Sequence, residues 1–200
     1  MIVASVLRSG GHYDVDYVER FARSIQEQGL RFVCLSDVPV PCPRICLVRN
    51  WPGWLSKIEL FRLSEPVLYL DLDTVVTGDL RPLFRTAPGF TMLEDFTQPG
   101  KPASGVMSWM GDFSRIYNEF HDSLVPLYRH WRPNRGDAGW IERHVTAELF
   151  PSDGSIVSYK LGLQGSAVPE GCRAVCFHGK PRPRDVGWLD KVTKWKTTAN

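Results

Sequence analysis

The chain has 200 residues, 43% of them apolar and 23% charged, with a formal net charge of +2. That length and composition exclude a disordered or low-complexity chain and provide one domain with an ample core. The near-neutral charge excludes a strong electrostatic hold on nucleic acid, and no apolar run approaches the ~18 residues of a membrane span.

Residues 2–7 are apolar and read as a first strand. The segment is too short, and lacks the basic leader, for a signal peptide, so the expected location is cytoplasmic. Asp14 is placed to cap a helix running to Gln28, with Val18, Phe21, Ala22 and Ile25 on one face and Gly29 as its stop. Residues 32–35 and 45–48 read as strands. Residues 54–63 have helical periodicity through Leu55, Ile58 and Phe61, ending before Pro66. Residues 67–70 form a buried strand. The alternation predicts an α/β sheet with helices on its faces.

Beyond this point residues 80–84 read as a helical turn, and 90–93 and 105–109 as strands. Asp112 caps a helix bearing Phe113, Ile116, Tyr117 and Phe120. Residues 138–144 read as a helix, and 157–159 and 174–177 as late strands. No repeat or linker divides the chain, so one domain is expected over residues 1–200. Of the five cysteines, Cys42/Cys46 and Cys172/Cys176 have a C-x3-C spacing that zinc tolerates. Cys172 and Cys176, however, flank an apolar strand, and Cys34 lies inside another. An odd count without a leader favours reduced structural thiols.

The chemistry concentrates at strand ends. Val67-Leu68-Tyr69-Leu70 runs into Asp71-Leu72-Asp73-Thr74, an apolar strand ending in two carboxylates one residue apart. Alternate strand residues point the same way, so both carboxylates are expected to face one spot and grip a divalent cation through hard oxygens. The competing reading is a solvated turn. Late in the chain His178-Gly179-Lys180-Pro181 follows the strand Val175-Cys176-Phe177, combining an imidazole, a permissive backbone and a cation. The loop after the first strand, Leu7-Arg8-Ser9-Gly10, completes three loops at strand ends, where ligands of open α/β sheets bind.

Together these segments resemble the GT-A-type glycosyltransferases, in particular the retaining glycogenin-like and galactosyltransferase-like family. Trp54-Leu55-Ser56-Lys57-Ile58-Glu59-Leu60-Phe61 is similar to that family's helix bearing a lysine near the diphosphate. Tyr69 to Val76 is similar to its metal-binding strand and turn, and Ser104-Gly105-Val106-Met107 to its segment near the donor sugar. Ala103 stands where the family has Asn. Gly136-Asp137-Ala138-Gly139 is similar to its Asp-Gln helix start, with Ala138 where Gln is usual. Phe177-His178-Gly179-Lys180-Pro181 is similar to its closing His/Gly/Lys-Pro region, with shorter spacing and no Trp after Pro181.

The resemblance implies a single-domain GT-A-type (Rossmann-like) mixed sheet flanked by helices. It also implies a hexosyltransferase-like enzyme that takes a nucleotide sugar, a UDP-sugar by preference, and retains anomeric configuration. In that reading Asp71, Asp73 and His178 hold Mn²⁺ or Mg²⁺, with manganese favoured because imidazole suits it. Lys57 and Lys180 meet the diphosphate as point charges. Leu7, Arg8, Ser9 and Gly10 meet the nucleoside, Ser104, Gly105 and Gly179 line the donor, and Asp95 and Asp137 hydrogen-bond the sugar. The aromatic segments Asn50 to Trp54 and His130 to Pro133 are candidate walls of an acceptor groove. The acceptor itself, whether glycan, protein or lipid, is left open.

Two other readings compete. Asp71-Leu72-Asp73-Thr74-Val75 also matches the haloacid-dehalogenase-like phosphatase pattern, but there the motif follows the first core strand, and here three strands precede it. A non-catalytic nucleotide-sugar-binding domain would keep the fold without needing all of Asp71, Asp73, His178, Lys57 and Lys180.

Overall fold

A computed structural model describes residues 1–188 of the chain. A seven-stranded mixed sheet has the order β3-β2-β1-β4-β7-β6-β8, built from Arg44–Cys46, Phe32–Ser36, Ile2–Leu7, Val67–Leu70, Pro102–Met110, Gly89–Glu94 and Glu148–Leu149. The strands β3, β2, β1 and β4 are mutually parallel, with Ala4 opposite both Val33 and Tyr69. β7 runs antiparallel to β4 and to β6. A second, three-stranded sheet joins β5 (Thr74–Val76), β10 (Ala174–Cys176) and β9 (Ile156–Ser158).

Alternation along the strands builds two cores. Val3, Leu7, Phe32, Cys34, Leu68 and Leu70 face one side of the sheet, where α1 (Val15–Gln26) packs Val18, Phe21, Ala22 and Ile25 onto them. Ile2, Ala4, Val33, Leu35, Val67 and Tyr69 face the other side, against Trp51, Leu55, Ile58, Phe61 and Trp109. Strands buried on both faces are therefore apolar at nearly every position, as the parallel arrangement requires. Serines in this core are satisfied: Ser5 Oγ donates to Leu70 O at 2.6 Å and Ser108 Oγ to Val67 O at 3.2 Å.

Asp14 caps α1 through the Tyr17 amide, 3.3 Å from its Oδ1, and Gly29 follows the helix with φ +69°. The segment read as an α-helix over residues 54–63 is instead a 3₁₀ helix, Gly53–Arg62. Its three-residue period stacks Leu55, Ile58 and Phe61 in one row, and all three are buried. The fully buried Glu59 ties this helix to the chain before it, accepting from Val48 N at 2.9 Å and Arg49 N at 2.8 Å.

The helix expected after Asp112 is shorter, α2 over Arg115–Asn118, and Ser114 rather than Asp112 stands at its N-cap, Asp112 Oδ1 accepting from Ser114 N at 2.8 Å one step earlier; Val125–Tyr128 forms α3. The helix expected at 138–144 is α4, Gly136–Glu142. Two strands escaped the sequence reading: β5, which continues directly from the Asp-x-Asp segment, and the two-residue edge strand β8. Among the described residues no helix is long and apolar enough to cross a membrane. The five cysteines are free thiols, with Cys34, Cys172 and Cys176 buried, and burial pushes Cys34 up to about 12.

Candidate active site

The Asp71-Leu72-Asp73 segment is not the tip of one straight strand. The chain leaves the large sheet after Leu70, turns through a Thr74 N to Asp71 O hydrogen bond of 2.9 Å, and enters the small sheet at Thr74. The expected two-residue strand alternation therefore does not govern the two carboxylates. The two have different hydrogen-bond partners, Tyr69 for Asp71 and Tyr13 for Asp73, yet remain close enough for Asp73 to push the Asp71 carboxyl up.

Asp71 belongs to the large sheet. Its amide donates to Gly105 O at 2.9 Å, continuing the β4–β7 pairing, and its carboxylate accepts from the Tyr69 hydroxyl. Lys57, carried by the 3₁₀ helix and only 7% exposed, places Nζ 3.2 Å from Asp71 Oδ1, 2.9 Å from Asp137 Oδ2 and 3.1 Å from Ser104 Oγ. Four sequence-predicted site residues, Lys57, Asp71, Ser104 and Asp137, thus form one connected cluster. Asp137 is buried in the first turn of α4, so Lys57 links that helix to the sheet. Gly105 lies directly against this cluster, since a Cβ there would sit 3.5 Å from Asp71 Oδ2.

The charges do not cancel. Burial raises the Asp71 carboxyl to about 6, Lys57 pulling it down and Asp73 and Asp137 pushing it up. Burial works against the Lys57 ammonium, but Asp137 and Asp71 more than offset this and hold it above its ordinary range. Tyr69 is raised by its burial and by Asp71. One ammonium therefore serves neighbouring carboxylates that repel one another, which is the electrostatic setting a cation relieves.

Asp73 faces the small sheet. Its Oδ2 accepts from the Tyr13 hydroxyl at 2.9 Å and from Gly179 N at 3.4 Å, while its backbone carbonyl accepts from Phe177 N at 3.2 Å. Burial, then Asp73, raises the Tyr13 hydroxyl far above its ordinary range. These bonds bring the His178 backbone beside Asp73 although 105 positions separate them, Asp73 and His178 standing at those numbers in the chain. His178 has φ +34°, in the left-handed region, and Lys160 Nζ donates to its carbonyl at 2.7 Å. Gly179 follows at φ +106°, a conformation that glycine alone adopts without strain. The His178 ring is stacked on Phe96 and lies 2.6 Å from Ser158 Oγ through Nε2. Burial, then Lys160, holds its pKa below the ordinary value, so the ring is neutral at pH 7.

Among the described residues no three His, Cys, Asp or Glu side chains close on a single point as a ligand set. Asp71, Asp73 and His178 instead surround the same sheet junction, with His178 turned toward Ser158. Their chemistry fits a divalent cation: two hard carboxylates in a region of excess negative charge, beside a neutral imidazole. Lys180 is exposed and has no partner among the described residues.

The first loop is organised by a residue the sequence reading missed. Asp37 accepts from Ser9 N at 2.8 Å and Ser9 Oγ at 2.6 Å, and pairs with Arg8 Nη1 at 3.1 Å. Leu7 is buried at the end of β1, and Gly10 turns the loop at φ +78°. Asp95 Oδ1 accepts from Thr97 N and Thr97 Oγ1, both at 2.8 Å, and from Gln98 N at 3.2 Å, shaping the turn that carries Phe96 beneath His178. Asp37 and Ser158 both stand at or just beyond strand ends, where the rule used for Asp71 and His178 would have found them. Tyr69, two residues before Asp71, was open to the same reasoning. Tyr13 lies in an irregular segment and Lys160 in a π-helical turn, Tyr159–Leu163, and neither carried such a signal.

No protein-family model matches the sequence, and no curated protein matches it. Solved structures do match its fold. The galactosyltransferase LgtC, crystallised with donor and acceptor sugar analogues, superposes with a TM-score of 0.64 at 13% identity, covering 100% of this chain and 98% of that one. The glycosyltransferase GlyE of Streptococcus pneumoniae TIGR4 gives a TM-score of 0.64 at 14% identity, covering 99% of this chain and 61% of GlyE. A glycosyltransferase involved in glycosylation of the major capsid of PBCV-1 gives 0.59 at 12% identity, covering 94% and 98%. The chain has the GT-A-type glycosyltransferase fold. At these identities the likeness is one of fold.

Proposed function

We propose that this chain is a metal-dependent glycosyltransferase, moving a sugar from a nucleotide-diphosphate sugar, a UDP-sugar, to an acceptor. The observation that carries the reading is the meeting of the Lys57–Asp71–Asp137 cluster with Asp73 and the His178-Gly179-Lys180 segment at one sheet junction. The fold shared with known glycosyltransferases supports it.

Asp71 and Asp73 would hold Mn²⁺ or Mg²⁺ from the two sides of the turn, with His178 as a third donor once its ring leaves Ser158. Such an ion supplies Lewis-acid stabilisation of the diphosphate leaving group. The protein supplies the rest. Lys57 is already spoken for by Asp71 and Asp137, so its role is to hold both carboxylates in place before the donor arrives. Lys180, exposed beyond the glycine hinge, is the cation available to the departing diphosphate. The Arg8-Ser9-Gly10 loop, braced by Asp37, offers the nucleoside a preformed wall. Ser104 and Gly105 edge the sugar side of the Asp71 cluster, while Asp95 braces the turn that carries Phe96 under His178.

The test is a panel of nucleotide sugars incubated with Mn²⁺, with Mg²⁺ and with chelator, following nucleotide release. Release of UDP from a UDP-sugar is expected with metal, lost with chelator and lost in Asp73→Asn. No metal-dependent release from any nucleotide sugar, or steady hydrolysis of a phenyl phosphate abolished by Asp71→Asn, would overturn the proposal.

A further inference from the structure

The loop Arg129-His130-Trp131-Arg132-Pro133-Asn134-Arg135 leads into α4 and so to Asp137, one ion pair away from Lys57 and Asp71. It is a pinned loop. Arg135 binds the Glu142 carboxylate and the Pro102 carbonyl, and Asn134 Nδ2 donates to Leu127 O at 3.0 Å. A Cβ at Gly139 would fall 1.8 Å from Asn134 O, so the glycine lets the loop fold back onto the helix. Trp54, at the start of the Lys57 helix, donates its Nε1 to Tyr128 O at 3.1 Å. Two partly exposed indoles are thereby carried by neighbouring segments, Trp54 41% and Trp131 39% exposed. The Arg135 guanidinium lies 5.5 Å from the Trp131 ring centroid.

The charge on this loop is one-sided. The acids that follow it, Asp137 and Glu142, are taken by Lys57 and Arg135. Arg129 and Arg132 are exposed and have no partner among the described residues. A chain with a net charge of only +2 therefore concentrates two unneutralised guanidiniums beside two held indoles, next to the proposed transfer site. Indole faces stack on sugar rings, and guanidinium forks match carboxylate and phosphate oxygens in pairs.

We propose, resting on the transferase reading above, that this loop binds the acceptor and that the acceptor is an anionic saccharide bearing a carboxylate or a phosphate. Trp54 and Trp131 provide the stacking surfaces, and Arg129 and Arg132 pair with the acid. Both indoles are held by contacts within the fold and sit on the segments that carry Lys57 and Asp137. That placement favours a saccharide delivered to the site over a lipid surface.

The experiment is titration calorimetry of the full chain with three probes: a glucuronate-ended disaccharide, a 6-phosphorylated disaccharide and the matching neutral disaccharide. At least one acidic probe is expected to bind at least about tenfold more tightly than the neutral one, and the stronger of the two identifies the acid. The advantage should shrink in salt and fall by about tenfold in Arg129→Ala/Arg132→Ala, the loss of charge-assisted hydrogen bonds. Trp131→Ala should weaken all three. Equal binding of neutral and acidic probes, or an acid preference untouched by the double variant, would overturn the proposal. So would binding to phosphatidylserine vesicles, lost in the double variant, with no saccharide bound. Because these titrations need no donor, failure of UDP-sugar release in the wild-type chain would sink the transferase reading separately.

Discussion

The two carboxylates of one three-residue turn live in opposite surroundings. Asp71 joins Lys57, Tyr69, Ser104 and Asp137 in a network reaching from the 3₁₀ helix through the large sheet to α4. Asp73 meets a hydroxyl and a backbone amide at the edge of the small sheet, where the segment beyond β10 carries an exposed His178 and an exposed Lys180. The first side is closed by ion pairs and preorganised, although 34% of the Asp71 side chain stays exposed. The second is open along its 178–180 segment, hinged at glycine and carrying the strained His178, although Asp73 itself is only 7% exposed. A site that must keep its charges ready and still admit a large anion is served by this division: one half is prepaid by folding, and the other is left to be completed by the ligand.

The sharpest way to break the comparison is Lys57→Ala. If the closed side is an ion network, removing Lys57 leaves the buried Asp137 carboxylate unpaired beside a partly exposed Asp71, a loss of up to about 3–5 kcal/mol, the range for a broken buried pair. The denaturant midpoint should fall accordingly in metal-free protein. The double variant Lys57→Met/Asp137→Asn should recover part of it. A Lys57→Ala chain as stable as wild type would show that the cluster is merely adjacent charge.

Lys180→Ala probes the open side and should behave in the opposite way. The side chain has no partner among the described residues, so stability should hardly change. Its cost should appear in the chemical step, on the order of 2–4 kcal/mol if it resembles loss of one preorganised charge donor. Donor affinity should change much less. Single-turnover rates beside donor dissociation constants decide it. Equal losses in both would place Lys180 in the closed half.

How far this was legible in the sequence follows from the same contrast. The α/β alternation, the cap at Asp14 and the strand-end positions of Asp71, His178 and the Arg8 loop were all readable, because each rests on a local pattern. The pairing of Lys57 with Asp137 was not, since 80 positions separate them in the chain and only the packing of α4 onto the 3₁₀ helix joins them. Strand alternation misled at Asp71 and Asp73. Thr74-Val75-Val76 was read as part of the turn after the strand and is the first strand of another sheet, so the backbone turns between the two carboxylates. Residues 54–63 were read simply as helical, because burial on nearly every side leaves periodicity uninformative, and the Leu55-Ile58-Phe61 row fits three residues per turn.

Asp73→Asn tests whether the open side needs its carboxylate to take up ligand. UDP with Mn²⁺ at a hundredfold excess over its dissociation constant should stabilise the wild-type chain by about 2.7 kcal/mol through mass action. The thermal shift should vanish with chelator and in the variant. A UDP shift of the same size without metal would move the nucleotide to a different part of the fold.

The smallest effect concerns the tether between the open side and α1. Beyond Pro181 the chain returns to the helix start, where Arg184 makes two hydrogen bonds to Asp14, at 3.0 and 3.1 Å, and its guanidinium lies 4.8 Å from the Tyr17 ring centroid. The Arg184 hydrogen bond, despite a small opposing effect of burial, holds the Asp14 carboxyl below its ordinary range, with the Tyr17 amide adding to this. The folded pKa lies below the unfolded one, so this contribution is present above about pH 4 and is lost as pH falls through the depressed value. Asp14→Ala should cost about 1 kcal/mol at pH 7 through the lost helix cap, since the exposed ion pair adds little. The gap between variant and wild type should close in acid. Arg184→Ala, which leaves the cap intact, should show a smaller loss that high salt also removes. If the tether also holds the His178-Gly179-Lys180 segment near Asp73, Arg184→Ala should weaken the Mn²⁺-dependent UDP shift as well. A variant that loses stability yet keeps the full UDP shift would show that the open side is positioned by Asp73 and Tyr13 alone.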